Sequence, residues 1–171
     1  MTRPQLDKVP PFYQGYVEHV KDIDVMEALK HSSVSTFDLI RSIPESKGEY
    51  RYADGKWSIK ELLAHMIDSE RIMGYRALRF ARNDKTELPG FEEKDYAPEA
   101  NAHGRTIRQL ADELESLRKT TIDLFQSFTD QMLQREGVAN KNKLSVLHLG
   151  YIIAGHVLHH GAILKERYLK T

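Results

Sequence analysis

The stretch WSIKELLAHMID, residues 57–68, constrains the fold more than any other part of the chain. Ser58 is a good N-cap residue and Glu61 follows three positions later. At that spacing the two side chains satisfy each other's free backbone N–H groups at a helix start. Trp57 and Leu62 hold the flanking positions that close a hydrophobic staple. The helix should run to about Arg82, because Asn83 and Asp84 favour a stop.

Three further segments carry helical periodicity. From Asp24 the apolar positions Val25, Leu29, Val34, Phe37, Leu39 and Ile40 predict a helix over roughly 24–43, ending before Pro44 and weakened by Ser32 and Ser33. Thr106 and Gln109 repeat the capping spacing ahead of Ile107, Leu110, Leu114, Leu117, Ile122, Leu124 and Phe125, which predicts a helix over 106–128. Ser145 caps a fourth that reaches about Tyr168. No segment reads as a convincing strand, and the polar stretch holding Gly137 and NKNK reads as a connection. The fold class expected is all-α, a four-helix bundle in one domain over residues 1–171.

Two regions stand outside these helices. Residues 1–23, with Pro4, Pro10 and Pro11, read as an extension packing on the bundle, its first part draped over the surface. Asp84 to Arg105 form a long connection between the second and third helices, with Pro89-Gly90, Pro98 and Gly104. Such a loop is either a crossover or a functional cover, and it frees the topology from a simple up-and-down order.

Composition removes several classes of function. The formal net charge is zero, so no strong field points to nucleic acid or an anionic membrane. There is no cysteine, which excludes disulfides, thiolate metal sites and a cysteine nucleophile, and leaves nitrogen and oxygen as metal donors. The opening residues hold no apolar run suited to export, and no stretch is expected to span a membrane, so a cytoplasmic location is the expectation. Glycine-rich phosphate loops, GxSxG and HExxH are absent.

The histidines stand out against this background. At 100° per residue, His156 and His160 fall on the stripe that Leu149, Ile152, Ile153, Ile163 and Leu164 define, one turn apart. His159 lies toward the edge of that stripe and His148 further out. On the second helix His65 shares the inner face with Leu62, Ser69, Ile72 and Met73. Three inward imidazoles on two helices are costly unless something satisfies them. They match a three-histidine divalent-metal site with an open position, and a hydrogen-bonded histidine core without metal is the alternative. Zinc or nickel comes first, with manganese or iron behind them; spacing alone does not separate them. Asp68, at i+3 from His65, reads as a solvated charge or an acceptor for an imidazole N–H. Arg76 shares the inner side of the same helix and is a candidate substrate contact through an anionic group, with a structural ion pair as the alternative. Tyr151 is a second candidate for substrate binding, or a packing residue. His19, His31 and His103 read as surface residues.

GKWSIKELLAHMIDSERIMGYRALRF resembles the second-helix signature of the DinB-like, or YfiT-type, proteins, and GHVLHHGAILKERYL resembles their last-helix signature. The resemblance spans most of the chain after Asp24. It implies a four-helix bundle holding a metal through His65, His156 and His160, and a homodimer. It also implies a metal-dependent hydrolase, or a transferase joining a low-molecular-weight thiol of the bacillithiol type to a small electrophilic substrate. The thiol would then be a cosubstrate. A non-catalytic metal-binding bundle with a structural or partner-binding role is the rival reading.

Overall fold

The computed structural model describes residues 5–170, apart from the side chain of Leu6; Pro4 of the N-terminal extension lies outside them. The long helices start where their caps stand. Helix α1 covers Pro11–Glu18 and α2 Val25–Arg41, the latter begun by Asp24, whose carboxylate accepts from the Met26 N–H. Helix α3, Ile59–Ala81, opens on the reciprocal Ser58–Glu61 box, and Asn83 follows it with a positive φ of 61°. A short α4, Glu93–Glu99, precedes α5, Ile107–Gln126, which the Thr106–Gln109 box opens. The single turn α6, Asp130–Leu133, leads to α7, Val146–Ile163. At α7 the box is closed by an imidazole: the Ser145 N–H donates to His148 Nδ1 and the His148 N–H donates to Ser145 Oγ. The helix continues as a wider turn over Leu164–Tyr168.

Helices α2, α3, α5 and α7 form the four-helix bundle. α7 packs between α2 and α3, α5 packs between the same two, and the consecutive helices α2 and α3 lie diagonally across from each other. The apolar core falls into two parts. One gathers Leu29, Phe80, Phe125 and Ile152, the other Ile40, Leu63, Leu110 and Leu164. Along α2, α3, α5 and α7 the change from one part to the other falls at Ser32, Glu70, Arg118 and His156, all buried. The bundle therefore carries a polar layer between two apolar ones.

The structure corrects the sequence reading in four places. Residues 136–145 are a β-hairpin, not a plain connection: β1, Glu136–Ala139, pairs antiparallel with β2, Asn142–Ser145. Asn140 and Lys141 both have positive φ, as a two-residue turn of this twist requires. Four-residue strands are too short to show alternation. The described part of the N-terminal arm from Val9 onward does not drape: α1 buries Tyr13 and Val17 beside α7, with Val9 and Val20 also buried. Pro10 and Pro11 take the N-cap and first helical positions, where a missing N–H costs nothing. The long connection has structure of its own in α4 and in a tight turn over Ala102–Gly104, and Leu88 pairs with Ala139 of the hairpin. Finally, Val146–Tyr168 is long and apolar enough to cross a membrane by length and composition, but 72% of its most apolar window is buried, as for a core helix.

Close approach of α1 to α7 depends on Gly155. A Cβ there would lie 1.9 Å from the Tyr16 carbonyl oxygen. Gly155→Ala should therefore push α1 off α7 and cost about 1–3 kcal/mol of stability, the usual range for overpacking. A thermal melt that matches the parent would contradict this contact.

Candidate metal centre

His65 comes from the second turn of α3, and His156 and His160 come from consecutive turns of α7. All three are at least nine-tenths buried. Their Nε2 atoms converge: His156 Nε2 lies 3.1 Å from that of His65 and 3.0 Å from that of His160. One ligand atom from each ring lies within 4.8 Å of one from both others. Trp57, in the staple position before α3, stacks obliquely on His65 with centroids 4.8 Å apart. Tyr16 of α1 meets the edge of His156 at 5.3 Å. The same residues that start α3 and seat α1 thus fix the rings.

Proton sharing cannot satisfy this cluster. A neutral imidazole has one N–H and one lone pair, and His156 Nε2 can play one of those roles toward two neighbours. Protonation is no remedy, because burial holds His65 down at about 4, and burial with the neighbouring rings holds His156 and His160 well below the ordinary value. The rings are neutral at pH 7 and offer lone pairs. A divalent cation accepts three at once, and nitrogens about 3 Å apart suit ligands at about 2.0–2.1 Å from a common ion. The donor set fits zinc, nickel or iron better than magnesium or calcium. Among the described residues His160 Nδ1 is buried without a hydrogen-bond partner, so this ring is held by packing.

A cavity of about 340 Å³ opens beside the cluster, with His156 in its wall. Its apolar lining includes Met73, Ile152 and Ile153. The connection between α3 and α5 supplies Phe91, Glu93 and Lys94 to the same wall, so the long loop covers the site. Glu93 Oε2 stands 3.8 Å from His65 Nε2, and burial and Glu92 push its carboxyl upward. Glu93 has no periodic signal in the sequence, because it belongs to a segment without helical pattern.

The remaining candidates separate clearly. Arg76 is buried and lines the cavity. Tyr151 is fully buried, its hydroxyl donates to the Ile23 carbonyl, and it does not line that cavity. Asp68 is half-buried, with a carboxyl raised by burial, and makes no hydrogen bond to an imidazole. His159 is half-buried beside Tyr16 and stays out of the cluster. His19 and His31 are exposed, and His103 pairs with Glu49 at the surface.

One further pair escaped the sequence reading. Arg118 of α5 and Glu70 of α3 form a fully buried two-point ion pair, with both N–O distances 2.8 Å. Arg118 also donates to the Leu29 carbonyl and to Ser32 Oγ on α2. A signal existed: Arg118 falls four residues after Leu114 and seven before Phe125, on the apolar stripe of α5.

Comparison with known proteins gives a consistent result. The chain is 28% identical over 155 residues to a protein of Oceanobacillus iheyensis whose name provisionally makes it a metal-dependent hydrolase; the match covers 86% of this chain and 87% of that one. A Geobacillus thermodenitrificans protein with the same kind of name is 30% identical over 65% of this chain and 64% of its own length. Among solved structures, YfiT from Bacillus subtilis, described as a probable metal-dependent hydrolase with an unusual four-helix bundle topology, superposes with a TM-score of 0.71. The identity is 16%, and the superposition covers 96% of this chain and 90% of that one. A mycothiol-dependent maleylpyruvate isomerase superposes with a TM-score of 0.69 at 11% identity, over 95% of this chain and 62% of that one. Residues 28–164 match the family model described as the DinB superfamily, and on that match this chain belongs to the DinB superfamily.

Proposed function

We propose that His65, His156 and His160 hold a divalent metal ion and that the chain is a metal-dependent enzyme acting on a small molecule. The observation that carries this reading is the convergence of three buried, neutral Nε2 atoms beside a cavity. A divalent cation held there supplies Lewis acidity, which makes water or a thiol a competent nucleophile near neutral pH. The chain supplies the rest. Trp57 and Tyr16 hold the rings in place. Tyr16, Phe91 and Met73 limit water in the cavity. Glu93 Oε2 is the carboxylate nearest the ring nitrogens, where it can accept a hydrogen bond from a molecule bound beside them.

Hydrolysis is the first form of this reading, supported by the names of the relatives. Transfer of a low-molecular-weight thiol, of the bacillithiol type, is the second, supported by the likeness of the fold to a mycothiol-dependent enzyme. The reading includes a cytoplasmic homodimer, and light scattering of the purified chain tests the dimer.

Two assays on zinc- and nickel-loaded protein separate the chemistries: cleavage of a panel of small esters and amides, and conjugation of bacillithiol to a chloromethyl fluorogenic electrophile. Turnover in either panel that disappears in His160→Ala supports the enzyme. Metal bound with no turnover in either would favour a structural role for the ion.

A further inference from the structure

Arg76 is a buried cation with no anion beside it among the described residues. Its residue is 2% exposed. Nη2 donates to the Pro89 carbonyl at 3.0 Å, Nη1 reaches only the Met73 sulfur at 3.6 Å, and the Phe91 ring lies 5.9 Å from the guanidinium carbon. Among the described residues no carboxylate comes within 4 Å of it, so the structural ion pair that would explain an inward arginine is missing. The acidic groups that share its cavity are engaged elsewhere. Glu70 is paired with Arg118, Glu92 is exposed and caps α4 at the Lys94 N–H, and Glu93 stands beside His65. A guanidinium cannot shed its proton at neutral pH, so burial leaves a charge whose cost is met only by a partner.

The place of Arg76 says where that partner sits. It lines the same cavity as His156. It follows His65 by eleven residues on α3, about 16 Å of helix. Long side chains on a helix lean toward its N-terminus, and Arg76 does so, its Nη1 lying by the Met73 sulfur one turn back toward the histidines. Met73, Ile152 and Ile153 line the cavity that both ends share.

We infer that Arg76 anchors the anionic oxygen group of a small, partly apolar organic ligand, whose other end lies toward the histidine cluster. The anchoring end stands on Arg76 alone. The identification of the other end as the reacting end rests on the metal-centre reading above. A carboxylate and a phosphate share the chemistry that a guanidinium fork recognises.

Calorimetric titration of the metal-free chain tests this with three probes: hexanoate, its neutral isostere hexanamide, and hexyl phosphate. A charge-assisted hydrogen bond predicts that the parent binds at least one anion roughly tenfold or more tighter than hexanamide. The better of hexanoate and hexyl phosphate identifies the group. Arg76→Gln should erase the preference, and Arg76→Lys should restore part of it. Equal binding of anion and amide by the parent would overturn the inference, as would an unchanged preference in Arg76→Gln. Zinc uptake measured on the same preparations keeps the two claims apart. A parent that prefers the anion but takes up no zinc retains the anchor and loses the metal centre. A parent that takes up zinc but shows no preference does the reverse.

Discussion

Arg118→Met is expected to lower folding stability by about 3–5 kcal/mol, the range for breaking a buried ion pair from one side. The cause is what remains. Glu70 is buried with both oxygens turned to the guanidinium, and the substitution leaves that carboxylate inside the bundle with no counter-charge. Leu29 and Ser32 lose a donor at the same time, which removes the polar link of α2 to this layer. Urea unfolding of the parent and variant measures the loss. For a chain of this length it corresponds to a fall in melting temperature on the order of 10 °C. Replacing both partners, Glu70→Leu with Arg118→Met, should recover a large part of it, because the desolvation cost leaves with the pair. A double variant no more stable than Arg118→Met would show that the hydrogen bonds to α2, rather than the charge pair, hold this layer together.

The second large effect separates adjacent histidines. His160→Ala should weaken zinc or nickel binding by more than about 100-fold, beyond the 10–100-fold that changes around a metal site produce without touching a ligand. His159→Ala should stay within a few-fold of the parent. The two rings are neighbours with centroids 5.0 Å apart, yet only the ring of His160 reaches the cluster. His156→Ala should behave as His160→Ala does, since its Nε2 stands between the other two. Comparable losses at all three positions would mean that binding at this face of α7 is diffuse.

The bundle was legible where the physics is local. Ser58 with Glu61, Thr106 with Gln109, and Ser145 mark three helix starts, and each opens a helix within one residue of the position expected. The inward phase of His65, His156 and His160 follows from the same 3.6-residue repeat that phases the leucines around them. What escaped was set by tertiary contact. Helix α1 forms because Tyr13 and Val17 have α7 to bury against, and its prolines mask it as an irregular arm. The hairpin depends on the left-handed pair Asn140 and Lys141, which composition alone presents as a polar loop. Glu93 joins the site through the path of the connection, and no periodicity foretells that path. Arg118 was legible in principle, as a charge on an apolar stripe, but its partner lies on another helix.

The central claim is that the histidine cluster is a metal centre, and metal content tests it most directly. The chain would be purified without a histidine tag or added metal, analysed by mass spectrometry for metals, then analysed again after exposure to zinc, nickel or manganese and desalting. About one equivalent per chain, retained through desalting, is the predicted result. A folded chain that holds no metal before or after exposure would contradict the account and leave the three imidazoles as an unusually costly part of a polar core.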